Sequence, residues 1–118
     1  MSRNKDTGKQ GEEIAIAHLL QNGFSIAEKN WRWKRKEADI IAIKGNTIHL
    51  VEVKTRNQLT SGLPEESITQ TKMNHLIELA EAYWQLHPAF TAIQIDVIAI
   101  ILHKGSLHEL KVFEDVFF

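Results

Sequence analysis

No cysteine occurs among the 118 residues, so a disulfide framework, a thiolate zinc site and a cysteine nucleophile are all excluded. Long apolar runs are also missing. The longest, Val97 to Leu102, is far too short to cross a membrane, and Met1 to Glu13 is polar and charged where a signal peptide would need an apolar stretch. A soluble, cytoplasmic protein without a membrane partner is therefore expected. There is no strong excess of charge of one sign either: the net charge of −1 argues against a chain that holds nucleic acid by bulk electrostatics. Internal repeats, low-complexity tracts and linkers are absent, so residues 1–118 are expected to form one domain.

The 43% hydrophobic content is sufficient for a single core, and the charge is unevenly spread. Residues 1–60 carry 11 Lys and Arg against 7 Asp and Glu, net +4, whereas residues 61–118 carry 3 against 8, net −5. If three acids of the first half face a metal ion, the remainder of that half is basic enough to hold a phosphate chain locally. Chance asymmetry in a small protein is the plainer alternative.

Periodicity predicts a helix from about Thr7 to Asn22, with Glu12 and Glu13 in its first turn, and a strand over Phe24–Trp33. Glu37–Lys44 and Thr47–Thr55 are rich in Ile, Val and Leu. Gly45-Asn46 between them is a two-residue loop with glycine first, the pattern of a type II′ hairpin. Ser67 and Gln70 have capping-box spacing ahead of a helix to about His87, with Met73, Leu76, Ile77, Ala80 and Tyr83 or Trp84 as its buried stripe. Thr91–Leu102 reads as a buried strand, Lys104-Gly105 as a turn and Leu107–Phe113 as an edge strand. The order is α-β-β-β-α-β-β, an α/β domain with two helices against a mixed sheet.

Counting back from Lys44 opposite Thr47, Asp39 falls opposite Glu52 in a non-hydrogen-bonded pair, and Glu37 opposite Lys54. The two-residue period places all four on one face. Two carboxylates forced together destabilise a sheet unless a proton or a cation relieves them. Hard oxygen ligands without sulfur suit Mg²⁺ or Mn²⁺, with the Val53 carbonyl as a further donor. Such a site fits phosphodiester hydrolysis, with the Lys54 ammonium orienting the nucleophile or offsetting transition-state charge. The alternative is a surface salt bridge between Glu37 and Lys54, with Asp39 and Glu52 simply facing water.

An ordered series runs through almost the whole chain: Gly8, Gly11, Glu12 and Ala15, then Asn30-Trp31-Arg32, Glu37-Ala38-Asp39-Ile40-Ile41, Val51-Glu52-Val53-Lys54-Thr55-Arg56, Lys72, and Asp96-Val97. In that series the sequence resembles the YraN-like family, small bacterial proteins with a predicted PD-(D/E)XK nuclease fold similar to archaeal Holliday-junction resolvases. The resemblance implies a restriction-endonuclease-like core, Asp39 and Glu52 as metal ligands, Lys54 as the catalytic lysine, and Glu12 reaching in from the first helix. Related nucleases often place residues that help to hold phosphate or water early in the second helix, where Lys72 and Gln70 lie, although an exposed helical lysine is the commoner explanation; Arg56 is expected as another phosphate contact and Glu37 as a supporting residue. The sequence departs from the family pattern at Lys36, where glycine is usual, at Ala38, at Ile95, and in having no proline before Asp39.

Lys29 to Lys36 interleaves five basic residues with two tryptophans. Arg32, Lys34, Arg35 and Lys36 could neutralise phosphates and a tryptophan could stack on an unpaired base; equally, Trp31 and Trp33 could be core residues beside a solvated turn. Asp96 could support the site or make a sheet-end hydrogen bond, and the six histidines show no pairing by spacing. The expected function is a Mg²⁺-dependent (or Mn²⁺-dependent) endonuclease acting on branched or junction-like DNA. The alternative is a non-catalytic nucleic-acid-binding or partner-binding module of the same fold. Whether two copies form a homodimer to cut both strands is left open by the sequence.

Overall fold

Three of the connections between strands are two-residue turns, and they set most of the sheet. Lys44 pairs with Thr47 across Gly45-Asn46, and of these two loop residues only Gly45 has a positive φ, +60°, as a type II′ turn requires. His103 pairs with Ser106 across Lys104-Gly105, and Trp33 with Lys36 across Lys34-Arg35. The computed structural model describes residues 3–57 and 68–117.

Seven elements follow in the expected order: α1 (Arg3–Gln21), β1 (Ser25–Trp33), β2 (Lys36–Lys44), β3 (Thr47–Asn57), α2 (Gln70–Leu86), β4 (Ala92–His103) and β5 (Ser106–Phe113). The strands form one five-stranded sheet ordered β1-β2-β3-β4-β5. All neighbours are antiparallel except β3 and β4, which run parallel from Thr47↔Ala92 to Asn57↔Leu102 with α2 between them in the chain. This mixed sheet with two helices is a restriction-endonuclease-like arrangement.

Both helix ends are made by local chemistry. At the C-terminus of α1, Phe24 N–H donates to Leu19 O and Gly23 N–H to Leu20 O, the paired bonds of a Schellman motif, with Gly23 at φ +87°. The N-cap of α2 is Thr69, whose hydroxyl accepts from Lys72 N–H at 3.1 Å, rather than the Ser67 of the expected capping box, which lies outside the described residues. Gln70 is then the first helical residue.

The central strands, β2, β3 and β4, are buried on both faces. On one, Ala15 and Leu19 of α1 close over Ile40, Ala42, Val51, Ile98, Ile100 and Leu102. On the other, Leu76, Leu79, Ala80 and Tyr83 of α2 close over Ala38, Ile41, Ile48, Leu50 and Ile95. Leu79 belongs to the buried stripe although the predicted pattern omitted it. Trp31 and Trp33 pack against this second cluster, so the core alternative describes them. Among the described residues no helix is long and apolar enough to cross a membrane.

Candidate functional site

The β2–β3 ladder follows the predicted register from Lys44↔Thr47 to Ile40↔Val51 and stops there. Asp39 and Glu52 are therefore not ladder partners, and Glu37 does not stand opposite Lys54. Beyond Ile40 the strands separate, and the Asp39 carboxylate takes the place of a backbone acceptor: its Oδ2 accepts from Val53 N–H at 2.8 Å. The side-chain alternation of β2 breaks at the same point. Ala38 packs in the cluster under α2 and Ile40, two residues on, in the cluster under α1. On the other side of β2, pairing with β1 skips from Lys29↔Ile40 to Trp31↔Ala38, and the intervening Asn30 has a φ of +52°. Asp39 thus occupies a fork in the sheet, held by its side chain where backbone pairing is interrupted.

Glu12, Asp39, Glu52 and Lys54 all line one cavity of about 480 Å³ at this fork, with Val53 and Arg56 in its wall. α1 comes this close because residue 11 is glycine; a Cβ there would collide with the Thr55 side chain of β3. Burial, and then the charge of Glu52, push the Asp39 carboxyl up to about 8, against the lowering effect of the Val53 N–H; a hydrogen bond to Glu52 and the Glu12 charge raise it further. Glu52 is 3% exposed; its Oε2 lies 3.6 Å from Lys54 Nζ and 3.2 Å from Lys72 Nζ. Its Oε1, also buried, has no hydrogen-bond partner among the described residues. A divalent cation fits this donor set: it would satisfy the orphaned oxygen and offset the burial and repulsion that raise Asp39. Among the described residues no three His, Asp or Glu side chains converge as a metal cluster.

The remaining predicted residues divide into those at the site and those turned away. Lys72 reaches it through Glu52. Gln70 does not: its amide donates to Asn74 Oδ1 at 2.9 Å along α2. Lys36 is tied to Glu78 of α2 at 2.9 Å. Glu37 lies 3.9 Å from Arg32, a mostly exposed pair, instead of meeting Lys54. Lys34 and Arg35 are exposed at the tip of the β1–β2 hairpin.

Residues 11–100 match the model of the Uncharacterised protein family UPF0102. The chain belongs to this family. That agrees with the YraN-like resemblance. Among UPF0102 relatives, a protein of Clavibacter michiganensis subsp. michiganensis is 38% identical over 113 residues, 95% of this chain and 96% of the relative. One of Dictyoglomus thermophilum is 41% identical over 104 residues, 87% and 88% respectively, and one of Caldicellulosiruptor saccharolyticus is 38% identical over 115 residues, 96% and 98%.

Two features of this UPF0102 fold escaped sequence reasoning. Asn30 is one: its amide donates to Oε1 of both Glu12 and Glu37, each at 3.2 Å, and so links α1 to β2 beside the site. Only an asparagine in a strand-like run hinted at it, since asparagine tolerates a positive φ. The second is a buried pair, His49 Nδ1 to Asp96 Oδ2 at 2.6 Å, where no histidine pairing was expected. Asp96 also accepts from Gln94 and from Asp115 N–H, so it ties β3, β4 and the C-terminal segment together as a structural hub. The signal lay in the parallel register, which sets Val51 opposite Asp96 and so brings His49 alongside; that register is invisible in sequence.

Proposed function

We propose that this protein is a Mg²⁺- or Mn²⁺-dependent endonuclease acting on structured DNA of branched or junction type. The observation that carries the reading is the Asp39–Glu52 pair, with one carboxyl held protonated by burial and repulsion and the other presenting a buried oxygen without a partner. Asp39 and Glu52 would hold the cation, with the Val53 carbonyl as a third oxygen donor. When bound, the cation would supply Lewis acidity at the scissile phosphate. Val53 N–H fixes one Asp39 oxygen and so aims the other. Lys54, whose ammonium already stands beside Glu52, orients the attacking water or stabilises the leaving charge; Lys72 does the same from α2. Glu12, steadied by a hydrogen bond from Asn30, lines the cavity where it would accept from an attacking water. Arg56, in the cavity wall, holds a phosphate of the substrate.

The two ammonium groups on Glu52 also favour a second reading, a nucleic-acid-binding or partner-binding module in which lysines permanently replace the cation. Cleavage of linear and branched DNA with Mg²⁺ or Mn²⁺ separates the two. The enzyme reading predicts cutting by wild type and a loss of at least about 100-fold in Lys54→Ala, with metal binding retained because an ammonium is not a ligand. Wild-type rates in Lys54→Ala would refute the assigned mechanism. Nucleic-acid binding with neither metal binding nor cleavage of any substrate would favour the binding module.

A further inference from the structure

The sheet has three two-residue hairpins, and two of them place glycine in the turn: Gly45-Asn46 and Lys104-Gly105. The third, Lys34-Arg35, has none, although both residues are left-handed, with φ +48° and +67°. Positive φ at both central positions is the type I′ pattern, which favours Asn-Gly because a Cβ is disfavoured there. Two long cations therefore occupy a turn whose backbone disfavours them. Little in the packing compensates: both side chains are exposed, Lys34 touches only the Trp33 ring, and among the described residues Arg35 has no ion-pair partner. The neighbours brace the turn. Trp33 is packed on the α2-side core with Lys34 Nζ 4.7 Å from its ring centroid, and Lys36 is anchored to Glu78. Strain that persists at an exposed, braced tip marks a position kept for something other than stability.

From this strained turn we infer that the β1–β2 tip is a rigid prong that grips the sugar–phosphate backbone of a nucleic acid, Lys34 and Arg35 each taking one phosphate. The inference rests on the nucleic-acid reading proposed above and adds the placement. β2 runs antiparallel to β3, so the tip stands at the same end of the sheet as Arg56. Arg35 and Lys34 lie four and five residues before Asp39, which puts the turn about 13 to 17 Å from the carboxylate pair along β2. The prong therefore holds backbone a short way along the strand from the cleaved bond and leaves the base edges unread.

The test is the double variant K34N/R35G, which installs the preferred turn sequence, with R35K as the charge-conserving control. Thermal unfolding is measured alongside fluorescence-anisotropy binding to DNA and RNA duplexes and to a branched DNA, in chelator so that no cleavage intervenes. The double variant should melt at least about 4 °C higher. It should also bind at least about ten-fold more weakly at low salt, with the slope of log affinity against log salt smaller by about 2. R35K should bind within about two-fold of wild type. A higher melting temperature with unchanged binding, or no rise in melting temperature, overturns the prong. Absence of nucleic-acid binding by wild type instead overturns the function on which it rests. Equal loss on DNA and RNA identifies the shared phosphate chain as the ligand; loss on one alone identifies that duplex.

Discussion

Burial at the fork and the neighbouring Glu52 charge both disfavour a charge on Asp39. With its folded pKa at about 8 and an ordinary carboxyl near 3.9 when unfolded, Asp39 holds a proton in the folded state that it releases on unfolding throughout that interval. Stability of the metal-free protein should therefore fall, by on the order of a few kcal/mol, as pH rises from about 4 to about 8. Asp96 acts in the opposite sense. Burial alone would raise it, but hydrogen bonds from His49, Asp115 N–H and Gln94 outweigh that and hold it below the ordinary value. Its contribution is complete above the unfolded carboxyl pKa and is lost as pH falls through its lower folded value. Melting temperature against pH should accordingly peak in mild acid; Asp39→Asn should flatten the alkaline decline, and Mg²⁺ should raise the wild-type melting temperature more at pH 8 than at pH 5.5. A flat wild-type profile would contradict the assigned electrostatics. At this scale the carboxylate pair and its lysine were legible, because charges among strand aliphatics violate the pattern around them. Asn30 and His49–Asp96 were not, because their partners come from α1 and from β4.

α1 owes its position to one missing methyl group. At Gly11 the helix backbone approaches β3 so closely that any Cβ would drive into Thr55, and the next residue is the site glutamate. Gly11→Ala should destabilise the protein by about 1–3 kcal/mol through overpacking and displace Glu12 from the cavity. Chemical denaturation measures the first effect. A drop in activity exceeding the loss of folded protein reports the second, and unchanged stability would refute the close packing. The β2–β3 hairpin was the most legible element, since a two-residue loop dictates register for every pair it controls. Its limit was equally physical: register counting assumes an unbroken ladder, and the ladder ends one pair short of the site. The β1–β2 turn was unreadable as a hairpin, because Lys34-Arg35 contradicts the chemistry such turns favour.

At the scale of the whole molecule, the chain's basic half, residues 1–60, includes all three strands around the site, while its acidic half contributes α2, β4 and β5. Nucleic-acid binding should therefore be strongly salt-dependent despite the net charge of −1, because local cations and not the total charge face the phosphates. Anisotropy titrations from 50 to 200 mM salt, a range chosen from about one Debye length of 14 Å down to 7 Å, should show a steep fall in affinity. Binding indifferent to salt would contradict a phosphate-gripping surface. Element order and class were legible throughout; the parallel β3–β4 pairing, which carries Asp96 to its place, was not, because no local turn specifies it. The claim beneath all of these is that Asp39 and Glu52 share a cation. Calorimetric titration of Mg²⁺ or Mn²⁺ into metal-free wild type and Asp39→Asn tests it directly. Saturable binding by wild type that disappears in a folded Asp39→Asn is the predicted result, and no binding by wild type, or equal binding by both, would contradict it.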